Sequence, residues 1–121
     1  MSLKTLVIGA SLKKERYSNK AIQKLKNFKH SVVAIGLRKG VVEGVEIEVE
    51  KILFKNIHTV TLYLNPKRQE QYYEYIISLN PKRVIFNPGT ENPHFYNLLR
   101  AAGIAYEEAC TLVLLSTGQY E

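Results

Sequence analysis

The sequence predicts a doubly wound α/β domain, one unit over residues 1–121 with a mainly parallel, five-stranded sheet. Three observations predict it. Short apolar or β-branched runs alternate with stretches of helical periodicity along the whole chain. Several of those runs are almost continuously apolar, as a parallel sheet covered on both faces requires. No linker, low-complexity tract or repeat divides the 121 residues, and that length suits one domain.

The elements follow in order. Leu3 to Ile8 is β-branched and apolar and stops at Gly9, a buried strand. A polar, basic loop leads to a helix with Ser18 as its expected N-cap. Tyr17, Ala21, Ile22, Leu25 and Phe28 share one face of it. Ser31 to Leu37 is the second strand. Gly40 to Ile47 alternates and turns twice, giving a loop with a short edge strand. Thr59 to Leu64 is the third strand, and Asn65-Pro66 opens a helix as cap and first-turn proline. That helix is expected to turn Tyr72, Tyr73, Ile76 and Ile77 inward and to stop before Asn80-Pro81. Arg83 to Asn87 is the fourth strand. Asn92-Pro93 repeats the cap-and-proline start, and the helix ends at Gly103, a C′ glycine. Ile104 to Glu107 is the fifth strand, while Thr111 to Leu115 fits a strand or a helical turn equally. Right-handed crossovers turn this alternation into a Rossmann-like domain.

In such sheets a ligand binds beyond the carboxyl ends of the strands, where strand order reverses. That rule selects three loops. Gly9-Ala10-Ser11 follows the first strand, where a glycine lets backbone N–H groups approach a phosphate and the next helix presents its positive end. Lys13, Lys14, Arg16, Ser18 and Asn19 surround it as donors, although the full GxGxxG spacing is missing. Gly36-Leu37-Arg38-Lys39-Gly40 follows the second strand, where NAD-binding domains carry an acidic residue for the ribose. Arg38 and Lys39 stand there instead, a pair that suits a phosphorylated ribose, as in NADP or coenzyme A. Asn87-Pro88-Gly89-Thr90-Glu91-Asn92 follows the fourth strand; Gly89 allows the turn and Asn92 caps the helix, which leaves Thr90 and Glu91 as ligand candidates.

Composition bounds the chemistry. All 11 acidic residues are Glu, which excludes Asp-based triads, Asp-rich calcium loops and a Walker B aspartate. The net charge of +6 makes anions the natural ligands. Nucleic acid is not favoured, because Tyr72 and Tyr73 are explained by packing and many lysines are scattered. The single Cys110 excludes a disulfide framework, and His30, His58 and His94 lack metal-ligand spacing; His30, ending a helix, sits where a cation is mildly favoured. No run approaches 18 apolar residues and the N-terminus reads as a strand, so a cytoplasmic protein without a membrane span or signal peptide is expected.

The segments GASLKKERYSNKAI, VVAIGLRKGVVEG, TVTLYLNP, PKRVIFNPGTENP and ACTLVLLSTGQ together resemble the small stand-alone CoA-binding domain family. That family is similar to the N-terminal CoA-binding domain of the succinyl-CoA synthetase alpha subunit. The resemblance spans roughly Leu3 to Tyr120. It implies that the CoA pyrophosphate lies on Gly9, Ala10 and Ser11 beside the Arg16-Tyr17-Ser18 helix start. Arg38, with Lys39 adjacent, would meet the 3′-phosphate, and Asn65-Pro66 would border the nucleotide. Asn87, Pro88, Gly89, Thr90 and Glu91 would line the pantetheine path. The glycine loop is sparser than in the synthetase, and the synthetase's phosphorylated histidine belongs to a second domain not expected in these residues. The expectation is therefore a non-catalytic CoA or acyl-CoA binding module that senses or regulates. The alternatives are an NADP-type module of an oxidoreductase assembly and a CoA-thioester enzyme with Cys110 as nucleophile. A partner enzyme or a homodimer would find an edge strand near Ile47.

Overall fold

The computed structural model describes residues 2–121. Its elements are β1 (Thr5–Ala10), α1 (Tyr17–Asn27), β2 (Val32–Gly36), β3 (Gly40–Val42), β4 (Val45–Glu48) and β5 (Thr59–Leu62). There follow α2 (Pro66–Gln69), a 3-10 turn (Glu70–Tyr72), α3 (Tyr73–Leu79), β6 (Arg83–Phe86), α4 (Pro93–Ala101), β7 (Ala105–Glu108) and α5 (Thr111–Ser116). The strands form a single seven-stranded sheet in the order β3-β4-β2-β1-β5-β6-β7. All neighbours pair in parallel except β3, which runs antiparallel to β4 at one edge.

The fold class stands as expected, with seven strands in place of five. The two additional strands come from the stretch read as a loop with a short edge strand. Val42 and Val45 close a hairpin over Glu43-Gly44, both at positive φ (50° and 77°), as a two-residue primed turn requires. Glu-Gly is not the usual Asn-Gly or Asp-Gly signature of such turns, so the hairpin is concealed. β4 then lies inside the sheet, pairing Ala34 with Ile47 and Ile35 with Glu48.

Alternation along each strand sends side chains to two cores. Leu6 and Ile8 of β1 face one side with Val60, Phe86, Ile76 of α3, and Phe95 and Leu99 of α4. Val7 faces the other with Ala34, Ile47, Ile85, Ile22 and Leu25 of α1, and Leu115 of α5. Leu6, Val7 and Ile8 are all fully buried, each contributing about 1.5–3 kcal/mol of apolar burial. The chain runs from β1 through β2 to β4, then returns across β1 to β5, so strand order reverses between β1 and β5.

Three helix details depart from the sequence reading. The N-cap of α1 is Arg16, and Ser18 is the second helical residue, buried on the same stripe as Ala21, Ile22 and Leu25. Tyr17 and Phe28 flank that stripe and are 68% and 46% exposed. The helix after Asn65-Pro66 breaks into α2, the 3-10 turn and α3, which rotates Tyr75 and Ile76 inward and leaves Tyr72, Tyr73 and Ile77 half-buried. The remaining ends match their signals. The Asn65 side chain accepts from the Arg68 amide at 2.9 Å, Asn92 from that of Phe95 at 3.1 Å, and Gly103 follows α4 at φ +73°.

Candidate functional site

A cleft of about 670 Å³ opens beyond the carboxyl ends of β1, β2, β5 and β6, where the strand order reverses. Two glycines bring its walls together. Ile8 pairs with Ile35 and Ala10 with Gly36, so Gly9 is an extra residue bulged from β1, at φ +91°. A Cβ there would lie 3.0 Å from the carbonyl carbon and oxygen of Tyr63. A Cβ on Gly36 would lie 2.3 Å from the Ala10 carbonyl oxygen. Only glycine at both positions lets the ends of β1, β2 and β5 converge at the cleft floor.

The wall above Gly9 is the β1–α1 loop. The Lys13 amide donates to Ser11 Oγ at 3.1 Å, and Asn19 Nδ2 donates to the Ser11 carbonyl at 2.8 Å. Gln23 Nε2 in turn donates to Asn19 Oδ1 at 2.6 Å, so Asn19, buried and fully engaged, pins the loop rather than serving a ligand. α1 starts here with no side chain capping its first amides and no acidic residue in its first turn. Its positive end therefore faces the cleft, beside Arg16, Tyr17 and Ser18.

Charge in the cleft is of one sign. Lys13, Arg16, Arg38 and Arg68 line it and no carboxylate does. Among the described residues none of these four forms an ion pair. Low-dielectric walls lined by one sign of charge concentrate counter-ions, here anions.

The far wall is held by a chain of buried amides. Gln69, fully buried, donates through Nε2 to the carbonyls of Leu64 and Thr90, both at 2.8 Å. Asn92 Nδ2 donates to Gln69 Oε1 at 2.9 Å and to the Tyr73 hydroxyl at 2.8 Å. Thr90 Oγ1 donates to the Asn87 carbonyl at 2.7 Å. The loops after β5 and β6 are thus tied together into one rim.

Most expected site residues meet at this cleft: Gly9, Ala10 and Ser11; Arg16, Tyr17 and Ser18; Gly36 and Arg38; Asn65; and Pro88, Gly89 and Thr90. Four do not line it. The Lys39 ammonium lies 3.7 Å from Glu48 along the hairpin. Pro66 is exposed in the first turn of α2. Glu91 folds back to accept the Gly89 amide at 2.9 Å. Asn87 is buried, donating to Thr61 Oγ1 at 2.7 Å and the Leu62 carbonyl at 2.9 Å while accepting the Thr111 amide at 2.9 Å; it joins β5, β6 and α5. Cys110, half-buried, precedes α5 and is not part of the lining.

Sequence reasoning missed Arg68, Leu12, Leu37, Tyr63, Leu64 and Tyr72 in the lining, and Gln69 behind it. Arg68 was within reach, since it stands three residues after the cap Asn65 and so at the same helix start. Tyr63 carries no such signal. Burial raises its phenol well above the ordinary value, with the nearby Thr61 and Thr111 hydroxyls offsetting part of this. Those two hydroxyls pair with each other at 2.8 Å, and the Tyr63 hydroxyl has no hydrogen-bond partner among the described residues.

His30 also differs from expectation. It is buried, its Nδ1 accepts the Leu3 amide at 2.9 Å, and desolvation lowers its pKa, so the neutral imidazole is the native form. Among the described residues no group of three or more His, Cys or Glu could hold a metal ion, and no helix is long and apolar enough to cross a membrane.

No curated protein matches the chain in sequence. A solved structure of an uncharacterized protein is 44% identical, covering 99% of each chain with a TM-score of 0.96. A hypothetical protein from Pyrococcus horikoshii OT3 is 26% identical, with a TM-score of 0.80 over 93% of this chain and 82% of its own. A Thermus thermophilus protein shares the fold, with a TM-score of 0.86 at 17% identity over 98% of this chain and 91% of its own. The sequence matches the CoA binding domain over residues 4–116, from the strand before the Gly9 bulge to the end of α5. The chain belongs to the CoA-binding domain family.

Proposed function

We propose that this cleft binds coenzyme A or an acyl-CoA, and that the chain is a binding module without catalysis of its own. The observation that carries the reading is a cleft at the strand-order reversal lined by four cations that form no ion pair among the described residues, by no carboxylate, and by a helix start without a side-chain cap. A pyrophosphate fits beside Gly9 and the first amides of α1, where backbone N–H groups and the helix dipole act together. Arg38, at the end of β2, is the partner for a phosphate on the ribose, and Arg68 adds a cation on the opposite rim. The rim of Pro88, Gly89 and Thr90 suits an uncharged amide chain such as pantetheine, because the one acid there already holds the Gly89 amide.

Cys110 outside the lining supports binding over thioester chemistry, and the module's role is then to sense CoA or to regulate a partner enzyme. Calorimetry with CoA, dephospho-CoA and NADP tests the reading. CoA is expected to bind best, and loss of its 3′-phosphate to weaken binding about tenfold, the scale of one charge-assisted contact. In Arg38→Ala the two CoA forms should bind alike. Equal affinity for them in the native protein overturns the Arg38 assignment, and tighter binding of NADP overturns CoA as the ligand.

A further inference from the structure

The two ends of the cleft differ in chemistry. One end is formed by the loops after β1 and β2, which are neighbours in the sheet. Here the first amides of α1 have no side-chain cap, and Lys13, Arg16 and Arg38 line the cleft without an ion pair among the described residues. Two large apolar side chains flank Arg38. Leu37, its chain neighbour, is 80% exposed. Leu12, 44% exposed, lies against the loop just beyond Arg38: a Cβ on Gly40 would come within 2.4 Å of Leu12 Cδ2. Both leucines line the cleft.

The opposite end is the loop after β6. Among the described residues that line it there, every hydrogen-bond donor is already taken. Pro88 has no N–H, and the Gly89 amide donates to Glu91 Oε1 at 2.9 Å. The Thr90 amide and hydroxyl both donate to the Asn87 carbonyl, at 3.0 and 2.7 Å. A nucleoside 3′,5′-bisphosphate therefore matches the first end. Its 5′-phosphate meets the α1 amides, its 3′-phosphate meets Arg38, and its base, carried on the same ribose, meets Leu12 and Leu37. The amide carbonyls of a pantetheine arm find no donor at the second end and stay hydrated, so the arm adds little to affinity.

We propose that the cleft recognises nucleoside 3′,5′-bisphosphates as a class, and that free adenosine 3′,5′-bisphosphate occupies it in competition with CoA. The inference rests on the phosphate placements proposed above and widens the ligand from CoA to any molecule bearing this bisphosphate. Isothermal titration with CoA and its two halves, adenosine 3′,5′-bisphosphate and 4′-phosphopantetheine, tests it. The bisphosphate should displace CoA and bind within about tenfold of it, because the arm adds no charge-assisted contact. 4′-Phosphopantetheine, without the 3′-phosphate and the base, should bind at least about a hundredfold more weakly than CoA. Leu37→Ser should weaken CoA and the bisphosphate by the same factor, about threefold to tenfold, and a thermal melt close to the native one establishes that the variant is folded. If CoA binds and the bisphosphate is more than about tenfold weaker, the arm carries the affinity; the proposal is overturned while the CoA reading stands. A Leu37→Ser loss confined to CoA overturns it too, as does 4′-phosphopantetheine binding on a par with CoA. If the bisphosphate binds and CoA does not, the proposal stands and the CoA reading falls. If neither binds, both fall.

Discussion

The Gly9 bulge gives the sharpest test of how the cleft is built. Replacing Gly9 by Ala has two costs that the structure separates. At φ +91° an L-residue is strained by roughly 1–2 kcal/mol. The new Cβ also lies 3.0 Å from the Tyr63 carbonyl carbon and oxygen and 3.1 Å from Leu64 Cδ2. Relieving those contacts moves the end of β1 or β5 by a few tenths of an ångström, about another 1–3 kcal/mol of overpacking. The sum is about 2–5 kcal/mol. At about 3–5 °C per kcal/mol for a chain of this length, the Tm should fall by roughly 6–25 °C. Gly103 is the control: its φ is +73°, but nothing lies within 4 Å of its would-be Cβ. Gly103→Ala should therefore show only the first cost, roughly 1–2 kcal/mol, with CoA affinity unchanged. Gly9→Ala should lose at least about tenfold in CoA affinity, because the displaced segment is the cleft floor. Differential scanning calorimetry and isothermal titration of both variants measure the two quantities. Equal Tm losses with equal CoA affinity would refute the idea that the close approach of β1 to β5 shapes the site.

Two further outcomes follow from the buried polar groups. Gln69→Met fills similar volume but deprives the Leu64 and Thr90 carbonyls of a donor and Asn92 of an acceptor. It should cost about 1–3 kcal/mol in denaturant unfolding and weaken CoA binding, since the two rims lose their common tie. The pH dependence has a definite sign. His30 is lowered from its ordinary 6.5 chiefly by desolvation, with the Glu121 carboxylate opposing and Arg83 reinforcing, so the unfolded chain binds the proton more readily. Stability from His30 is complete above about pH 6.5 and is lost as pH falls through that value toward the lowered native one. His58, also lowered by desolvation with Arg83 and Lys82 beside it, acts in the same direction. His30→Gln, which retains an acceptor for the Leu3 amide, should flatten the fall in Tm between neutral pH and about pH 5. An unchanged slope removes His30 from the account.

The elements with strong local signals were legible. Asn65-Pro66 and Asn92-Pro93 mark their helix starts because a side-chain acceptor and a missing N–H act within one turn. The loops at the carboxyl ends were legible too, because crossover handedness dictates where they lie. The β3–β4 hairpin was obscured by a Glu-Gly turn, whose backbone conformation local preference does not announce. The helix break after Gln69 was equally hidden. There a glutamine becomes structural only when the Leu64 and Thr90 carbonyls, five and twenty-one residues away, come within reach of its amide.

By itself the sequence determined the alternating α/β order, the edge of the sheet at which the cleft opens and the positive charge of the loops around it. Each of these follows from short-range periodicity, glycine position or charge, which need no folded context. The tertiary structure alone decided which members of those loops share the cleft. Lys39 and Arg38 are neighbours in sequence, yet Arg38 lines the cleft while Lys39 lies beside Glu48 on the hairpin. Asn87 and Thr90 occupy one loop, yet Asn87 is fully engaged with Thr61, Leu62 and Thr111, and only Thr90 borders the opening. Which partners a polar side chain meets depends on strands brought together by the sheet, and sheet register is a long-range property.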